Sequence, residues 1–450
     1  MTVSNVLLIT IDSLRADYQE LINIEVDPLA IMNECLDETV EFSQAIANGP
    51  NTPSSFPTIL TSTHPMMYGG YRYLDERRPF VAETFRKAGY DTVAYHSNPH
   101  LGKDHNYQTG FKIFNDSAEG SDTVAGLKNR VEDRLDPDSR LYSMLRRLWH
   151  WFTMSTGTAA YAKAETITEN ALRWFETEHD GDPFFMWLHY MDVHYPFQPP
   201  DEAMDDIGFD QLSTRRVAEL NGKMQEDADS LTEADVADLL KLYVGEIKAI
   251  DQQIDRLFDL LEVKNLLSET VVIVTADHGE AFGEHGRFGH HPYLYDELLR
   301  VPLIVHAPGL ESRTIDQQVS LLDIGPTLYD LLDIETPDAV QGISLTPLLY
   351  GKKLNQEVAI ATGNGGGTLA CRTSGWKCFW QVEENEVELY DLQEDPDELN
   401  DVSIDHPDIV TEFREQMETY LEAAEGTDID LPDIETNTEV EQRLRDLGYR

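Results

Sequence analysis

Four short stretches of this 450-residue chain carry side chains suited to metal and ester chemistry. They are Asp12-Ser13, Asn98-Pro99-His100, Asp192-Val193-His194 and Asp277-His278-Gly279-Glu280. Asp12, Asp277 and His278 together offer two hard carboxylates and one imidazole. That donor set favours one divalent cation, Ca, Mg, Mn or Zn, over copper or a thiolate-bound metal. Each residue alone has a plainer reading: Asp12 would cap a helix starting near Leu14, and an Asp-His pair would brace a turn. The run TADHGEAFGEHGRFGHHP (275–292) resists that reading, because it crowds acids, glycines and His278, His285, His290 and His291 into one loop. A fifth stretch, GPNTPSSFPTIL (49–60), reads as a helix start, with Thr52 as N-cap and Pro53 at the first helical position.

Such groups act only if the fold brings them together. Five apolar runs supply a frame: NVLLITI (5–11), DTVAYHS (91–97), FFMWLHY (184–190), TVVIVTA (270–276) and VPLIVHA (301–307). Each is rich in β-branched or aromatic residues without alternation, the pattern of strands buried on both faces of a parallel sheet. Helical patterns at 80–89, 164–178 and 237–262 lie between them, which predicts a doubly wound, mostly parallel α/β domain. In such sheets ligands bind beyond the carboxyl ends of the strands. Four of the five runs release into the chemistry-bearing residues at that edge. Segment 117–160 breaks the rhythm. Its stretch LYSMLRRLWHWFTM (141–154) reads as a helix packed on the core, or else as a substrate-facing lid. Past 355, short strands and Gly-rich turns predict a small antiparallel subdomain. A helix over 407–425 and an acidic tail over 426–450 follow. The expected division is therefore a catalytic domain over 1–354, with 117–160 inserted, and an α+β subdomain over 355–425.

Composition narrows the function classes. Asp and Glu number 83 against 34 Lys and Arg, a net charge of −49 spread along the chain, and 41 % of residues are hydrophobic. This predicts a packed core under a solvating, halophilic surface whose self-repulsion is screened by salt. An acidic face for a cationic partner is the other reading. Nucleic acid is excluded as a partner, because its phosphates need a basic surface. Cys35, Cys371 and Cys378 form no CxxC pair and read as reduced thiols of a cytoplasmic protein, although Cys371 and Cys378 are spaced to pair across a hairpin. The N-terminal run lacks a basic region and a small-residue cleavage site, and no run approaches the ~18 apolar residues of a transmembrane segment.

The stretches NVLLITIDSLRADY (5–18), TADHGEAFGEHGRFGHHPYLYDELLRVPLIV (275–305) and ELYDLQEDPDELNDVS (388–403) resemble, in order and spacing, the sulfatase family of the alkaline-phosphatase superfamily. WLHYMDVHYPFQPP (187–200) is similar to that family's His-containing middle segment, and HSNPHLGKDHNYQTGF (96–111) to its second conserved loop. The resemblance implies an alkaline-phosphatase-like sheet with a small C-terminal subdomain and one divalent metal ion. It also implies hydrolysis or transfer at a sulfate or phosphate ester of a small molecule or glycan. Asp12 then takes the place of the first metal-binding Asp and Asp277 of the later one, with His278 where many relatives have Asn. His100 matches a substrate-binding His, His194 the His that contacts the ester, and His290 a position where Lys is usual. Three positions depart from the pattern: Ser13 replaces a second metal Asp, Asn98 replaces a Lys, and Asn51-Thr52-Pro53-Ser54-Ser55 stands where the signature reads Cys or Ser, any residue, Pro, Ser, Arg. Strict register puts Asn51 at the formylglycine position, and an amide cannot become an aldehyde hydrate.

Thr52, one residue on, offers a hydroxyl at a helix N-terminus, where the dipole and free N–H groups favour an alkoxide and an anionic ester. Asp12, Thr52, Asp277 and His278 also resemble the site of lipoteichoic-acid-synthase-like phosphoglycerol transferases. The leading expectation is a metal-dependent hydrolase of sulfate or phosphate esters with Thr52 as nucleophile. His194 and His290 would stabilise developing charge, and His100 or His290 would protonate the leaving oxygen. The alternatives are a transferase moving a phosphoglycerol or sulfo group onto a glycan or lipid, and a non-catalytic relative that keeps the metal site.

Overall fold

In the computed structural model of the protein, residues 3–22, 29, 38–116, 161–355 and 358–427 are described. The 117–160 insertion, Cys35 and the acidic tail beyond 427 lie outside them, and so do the expectations attached to them. The apolar runs pair as strands of one sheet. β1 (Asn5–Ile11), β2 (Thr39–Ile46), β3 (Asp91–His96), β4 (Ile113–Asp116), β5 (Phe184–Tyr190), β6 (Thr270–Ala276), β9 (Arg300–His306), β10 (Arg313–Ile315) and β11 (Val319–Ser320) make nine strands among the described residues. Their order is β10-β2-β9-β6-β1-β5-β3-β4, with β11 also on β2. β7 (Ala281–Phe282) and β8 (Phe288–Gly289) form a separate ribbon within the 275–292 loop.

Every residue of β1, β5 and β6 is buried, which explains their unbroken apolar composition. β6, β1, β5, β3 and β4 run parallel. β9 is the exception to the expected direction. It is antiparallel to both β6 and β2, and an apolar run buried on both faces carries no mark of its polarity. β2 was not legible as a strand. Its sequence TVEFSQAI mixes polar and apolar residues because the strand is only partly covered. Since β2 opposes β9 and β9 opposes β6, β2 shares the direction of the central strands and ends at the same edge.

Helices cover both faces: α1 (Thr52–Thr61), α2 (Val81–Lys87), α3 (Ala164–Thr177), α4 (Thr214–Glu226), the 31-residue α5 (Glu233–Val263) and α6 (Ile324–Leu331). In α5, Leu239, Leu242, Tyr243, Ile247, Ile250, Ile254, Leu257 and Phe258 recur at helical spacing and are buried in the main core. Each such side chain contributes roughly 1.5–3 kcal/mol on burial.

The C-terminal unit is an antiparallel meander of β12 (Ala359–Gly363), β13 (Thr368–Arg372), β14 (Trp376–Gln381) and β15 (Glu386–Asp391). It is backed by α7 (Pro407–Gly426), which buries Phe413, Met417, Tyr420 and Ala424. Cys371 and Cys378 face each other across β13 and β14 as free, buried thiols. Asp296 joins this unit to the main sheet, pairing with Arg372 at 2.7 Å and with Lys377 at 2.8 Å. Among the described residues, no helix is long and apolar enough to cross a membrane.

Candidate active site and metal centre

Register brings the first two acids together. Ile11 of β1 pairs with Ala276 of β6, so Asp12 and Asp277 leave the sheet side by side. Ile11 also pairs with Tyr190 of β5, and the Asp12 N–H donates to the Tyr190 carbonyl at 2.8 Å. Asp12 caps no helix. It is followed by Ser13, held at φ 60° by its surroundings. The Ser13 hydroxyl donates to Asp12 Oδ1 at 3.0 Å and its N–H to Asp277 Oδ1 at 3.3 Å. Tyr243 of α5 locks this turn by donating to the Ser13 carbonyl at 2.9 Å and accepting the Arg15 N–H at 2.9 Å. Gly279 permits the neighbouring turn, since a Cβ there would lie 2.0 Å from the Glu297 carbonyl oxygen.

Asp12, Asp277 and His278 are buried, and one ligand atom from each lies within 4.8 Å of the others. His278 Nδ1 is 2.8 Å from the Gly279 carbonyl oxygen and donates to it, which leaves Nε2 as the ring nitrogen aimed at the carboxylates. Nε2 lies 3.7 Å from Asp12 Oδ1 and 3.5 Å from Asp277 Oδ2. Among the described residues, no donor lies within normal hydrogen-bond geometry of the buried Asp277 Oδ2. Lone pairs converging in this way repel one another unless a cation lies among them. The electrostatics agree. Burial, and then the neighbouring Asp12, hold the Asp277 carboxyl well above the usual range. Burial also disfavours ionised Asp12, but the His189 hydrogen bond and the surrounding imidazoles pull its carboxyl far down. The three residues therefore fit a divalent cation.

Thr52 reaches this cluster from β2 through the loop 47–51. Asn51, not Thr52, is the N-cap of α1: its side chain accepts the Ser54 N–H at 3.2 Å and the Ser54 hydroxyl at 2.8 Å. Thr52 is thus the first residue of the helix, and the donors there are not open as expected. Pro53 has no N–H and the Ser54 N–H is taken by the cap. The Thr52 hydroxyl, fully buried, lies 3.3 Å from Asp12 Oδ2, 3.5 Å from His278 Nε2 and 3.4 Å from Asn98 Nδ2. Asn98 also donates to Asp12 Oδ2 at 3.0 Å and accepts the His100 N–H at 2.9 Å. Ser55, where the signature has Arg, donates to the Asp277 carbonyl at 2.6 Å and pins α1 to the end of β6.

Two of the three other predicted histidines pack on the same cluster. The His194 ring centroid lies 4.8 Å from that of His290, and His290 lies 4.7 Å from His278. The His100 ring lies beside His105, with centroids 6.3 Å apart, and feels the charge of His105 more than those of Asp12, His194 and His290. Burial holds His194 down to about 4 and His100 down to about 3, and it pushes His290 well below the usual imidazole range. All three rings are neutral at neutral pH. His194 Nδ1 contacts the Tyr195 carbonyl, which leaves its Nε2 as an acceptor.

Two site residues escaped the sequence reading. His189 lies within β5, with Nδ1 3.0 Å from Thr10 Oγ1 and Nε2 3.4 Å from Asp12 Oδ2. Its place inside an apolar run reads as core. Glu280 is fully buried, lies 3.3 Å from His290 Nδ1, and is held up to about 8 chiefly by burial. It was visible in the DHGE run but had no role attached.

The family model for sulfatases matches residues 4–334, and the model for the C-terminal region of N-sulphoglucosamine sulphohydrolase matches residues 283–425. An arylsulfatase of Clostridium perfringens is 23 % identical over 444 residues, covering 88 % of this chain and 90 % of that protein. Among solved structures, a protein in complex with its substrate D-glucosamine-2-N,6-O-disulfate superposes with a TM-score of 0.71 at 16 % identity, covering 97 % of this chain and 100 % of the other. The phosphonate monoester hydrolase of Agrobacterium radiobacter gives 0.71 at 20 % identity, over 94 % and 96 %.

Proposed function

The chain belongs to the sulfatase family of ester hydrolases, and we propose that it hydrolyses a sulfate or phosphate-type ester with Thr52, not a formylglycine, as nucleophile. The observation that carries this reading is the position of one hydroxyl. Thr52 Oγ1 lies 3.3–3.5 Å from Asp12 Oδ2 and His278 Nε2, while the Asn51 side chain is spent on the helix cap. Asp12, Asp277 and His278 would hold a divalent cation, which would supply Lewis acidity and lower the pKa of a nearby hydroxyl.

The residues of the chain do the rest. Thr52 Oγ1 donates to Asp12 Oδ2, and His189 Nε2, 3.4 Å from that same carboxylate oxygen, gives the hydroxyl proton a path off this strongly acidic carboxyl as the Thr52 oxygen attacks sulfur or phosphorus. Asn98 Nδ2, a neutral donor beside the attacking oxygen, orients it and steadies negative charge there. The electron pair of the broken ester bond goes to the leaving oxygen, which takes a proton relayed through the neutral His290 ring from Glu280, whose carboxyl is held up to about 8 and lies 3.3 Å from His290 Nδ1. His194, with an accepting Nε2, suits activation of the water that releases the adduct from Thr52. Dense burial keeps bulk water from competing and strengthens each of these contacts.

Two fold neighbours define the substrates to try: one is a phosphonate monoester hydrolase and the other holds an N,O-disulfated glucosamine. The test offers purified protein with Mn²⁺ or Ca²⁺ nitrophenyl esters of sulfate, phosphate and a phosphonate, plus a phosphodiester. Turnover of one class, lost in Thr52→Ala and kept in Asn51→Ala, is the expected result. Absence of turnover with every ester and cation would overturn the reading.

A further inference from the structure

His194 sits in the loop between β5 and residue 198. Both ends of that loop converge on a charge cluster that the chemistry above does not use. At the first end, Asp192 accepts the Ala164 N–H at 2.8 Å and lies 3.6 Å from Lys163 Nζ. At the other, the Gln198 N–H donates to Glu246 Oε1 at 2.5 Å, and Lys163 Nζ is 3.3 Å from that same oxygen. Between them, Asn221 of α4 accepts the Phe197 N–H and donates to the Phe197 carbonyl, each at 2.8 Å. The His194 N–H donates to the Met191 carbonyl at 3.0 Å.

Glu246 is fully buried midway along α5, between Gly245 and Ile247, where packing alone would call for an apolar side chain. Two carboxylates share one ammonium. Burial first, and then Asp192, hold the Glu246 carboxyl up to about 7 against the pull of Lys163. A buried ion cluster of this kind adds little net stability over an apolar replacement, so a role in geometry accounts for it better.

We infer that Glu246 is a positioning residue for His194: it fixes Gln198 directly and Asp192 through Lys163, and so holds the imidazole against His290. The expectation for turnover rests on the ester-hydrolase reading above, but the position of the ring can be read without it. Glu246→Ala should lower kcat at least about tenfold while KM moves less than about threefold. In a His194→Ala background the same change should cost nothing further, since a residue acting through another is non-additive with it. Glu246→Gln, which keeps an acceptor for Gln198, should restore most of the rate. Asp323→Asn, a buried carboxylate that caps Ser320 and Ile343 elsewhere, serves as control and should leave kcat unchanged. By ¹H–¹⁵N NMR, the His194 ring resonances should move in Glu246→Ala and stay in Asp323→Asn. If Glu246→Ala does not fold, Lys163→Met cuts the tie to Asp192 and carries the same expectations. Unmoved His194 resonances, or an equal loss in the presence and absence of His194, would overturn the inference. Failure to turn over any ester would overturn the functional reading and leave the ring spectrum to decide this one.

Discussion

Substitution of Thr52 tests the chemistry at one atom. Thr52→Ala removes an oxygen that lies 3.3 Å from Asp12 Oδ2, 3.5 Å from His278 Nε2 and 3.4 Å from Asn98 Nδ2. It leaves the cap of α1 intact, because that cap is Asn51. If the hydroxyl is the nucleophile, the covalent route closes and only binding and electrostatic stabilisation persist. The expected loss in kcat is roughly 10³–10⁴-fold, or about 4–5.5 kcal/mol of transition-state stabilisation. Thr52→Ser keeps the oxygen but loses the methyl that fixes χ1 in a fully buried position. A loss of about tenfold, near 1.4 kcal/mol, is expected there. Asn51→Ala removes the bonds to the Ser54 N–H and hydroxyl. It should cost about 1 kcal/mol of stability with kcat kept within about threefold. The assay is release of nitrophenol from the best ester, with urea melts in parallel and mass spectrometry of the peptide containing Thr52 after a rapid acid quench. A sulfo or phospho adduct on that peptide should appear in wild type and vanish in Thr52→Ala. If Thr52→Ala keeps its rate within about tenfold while Asn51→Ala abolishes it, the hydroxyl is not the nucleophile and the reasoning fails.

Other perturbations probe the candidate metal centre, a buried histidine and the surface. Asp277→Asn should weaken Mn²⁺ binding by at least about 100-fold in calorimetry. It should also raise the melting temperature of the chelated protein, because it relieves the buried Asp12–Asp277 conflict; a lower melting temperature would contradict that conflict. His64, packed on Tyr420 with ring centroids 5.0 Å apart, is held down to about 4 by burial and by Arg78, against 6.5 in the unfolded chain. The fold therefore rejects the proton. This contribution is fully present above pH ~6.5 and is lost as pH falls through that value towards ~4, a range worth up to about 3 kcal/mol. His64→Phe should flatten the fall in unfolding free energy between pH ~7.5 and ~4.5, and a steeper fall would refute the assignment. With a net charge of −49, the protein should melt higher in about 2 M KCl than in about 0.1 M, since the Debye length shrinks from ~10 Å to below ~3 Å. A melting temperature indifferent to salt would remove the halophilic reading.

What the sequence showed and what it hid divide along physical lines. Strands buried on both faces announce themselves, so β1, β3, β5, β6 and β9 were legible. The residues that leave their shared edge, Asp12, Asn98, Asp192, His194 and Asp277, followed from that. Direction leaves no trace in such runs, which is why β9 was read with its parallel neighbours. β2 has two polar residues, Ser43 and Gln44, at the irregularity in its pairing with β9, which breaks the apolar pattern of a strand. His189 has the opposite disguise, a polar side chain in an apolar run that faces Asp12 only because β1 and β5 are in register.

The hardest point in the sequence was a single step of register, Asn51 or Thr52 at the nucleophile position, and helix geometry explains why it is the Thr52 side chain that faces Asp12. Successive residues at a helix start are rotated by about 100°. Two neighbours therefore cannot both face the ends of β1 and β6. Pro53 fixes the phase by demanding an early helical position, and the Ser54 N–H then needs a partner three residues back, which is Asn51. Once Asn51 is bound into the cap, the next side chain in the turn is the one that meets Asp12. A signature read letter by letter aligns Asn51 with the reactive residue. The requirement that the helix satisfy its own N–H groups turns Thr52 inward instead. Ser55, anchored to the Asp277 carbonyl, holds α1 at that rotation. Ser55→Arg alone should therefore not raise ester turnover: it adds a charge but cuts the tie from Ser55 to the Asp277 carbonyl that keeps the Thr52 hydroxyl 3.3 Å from Asp12.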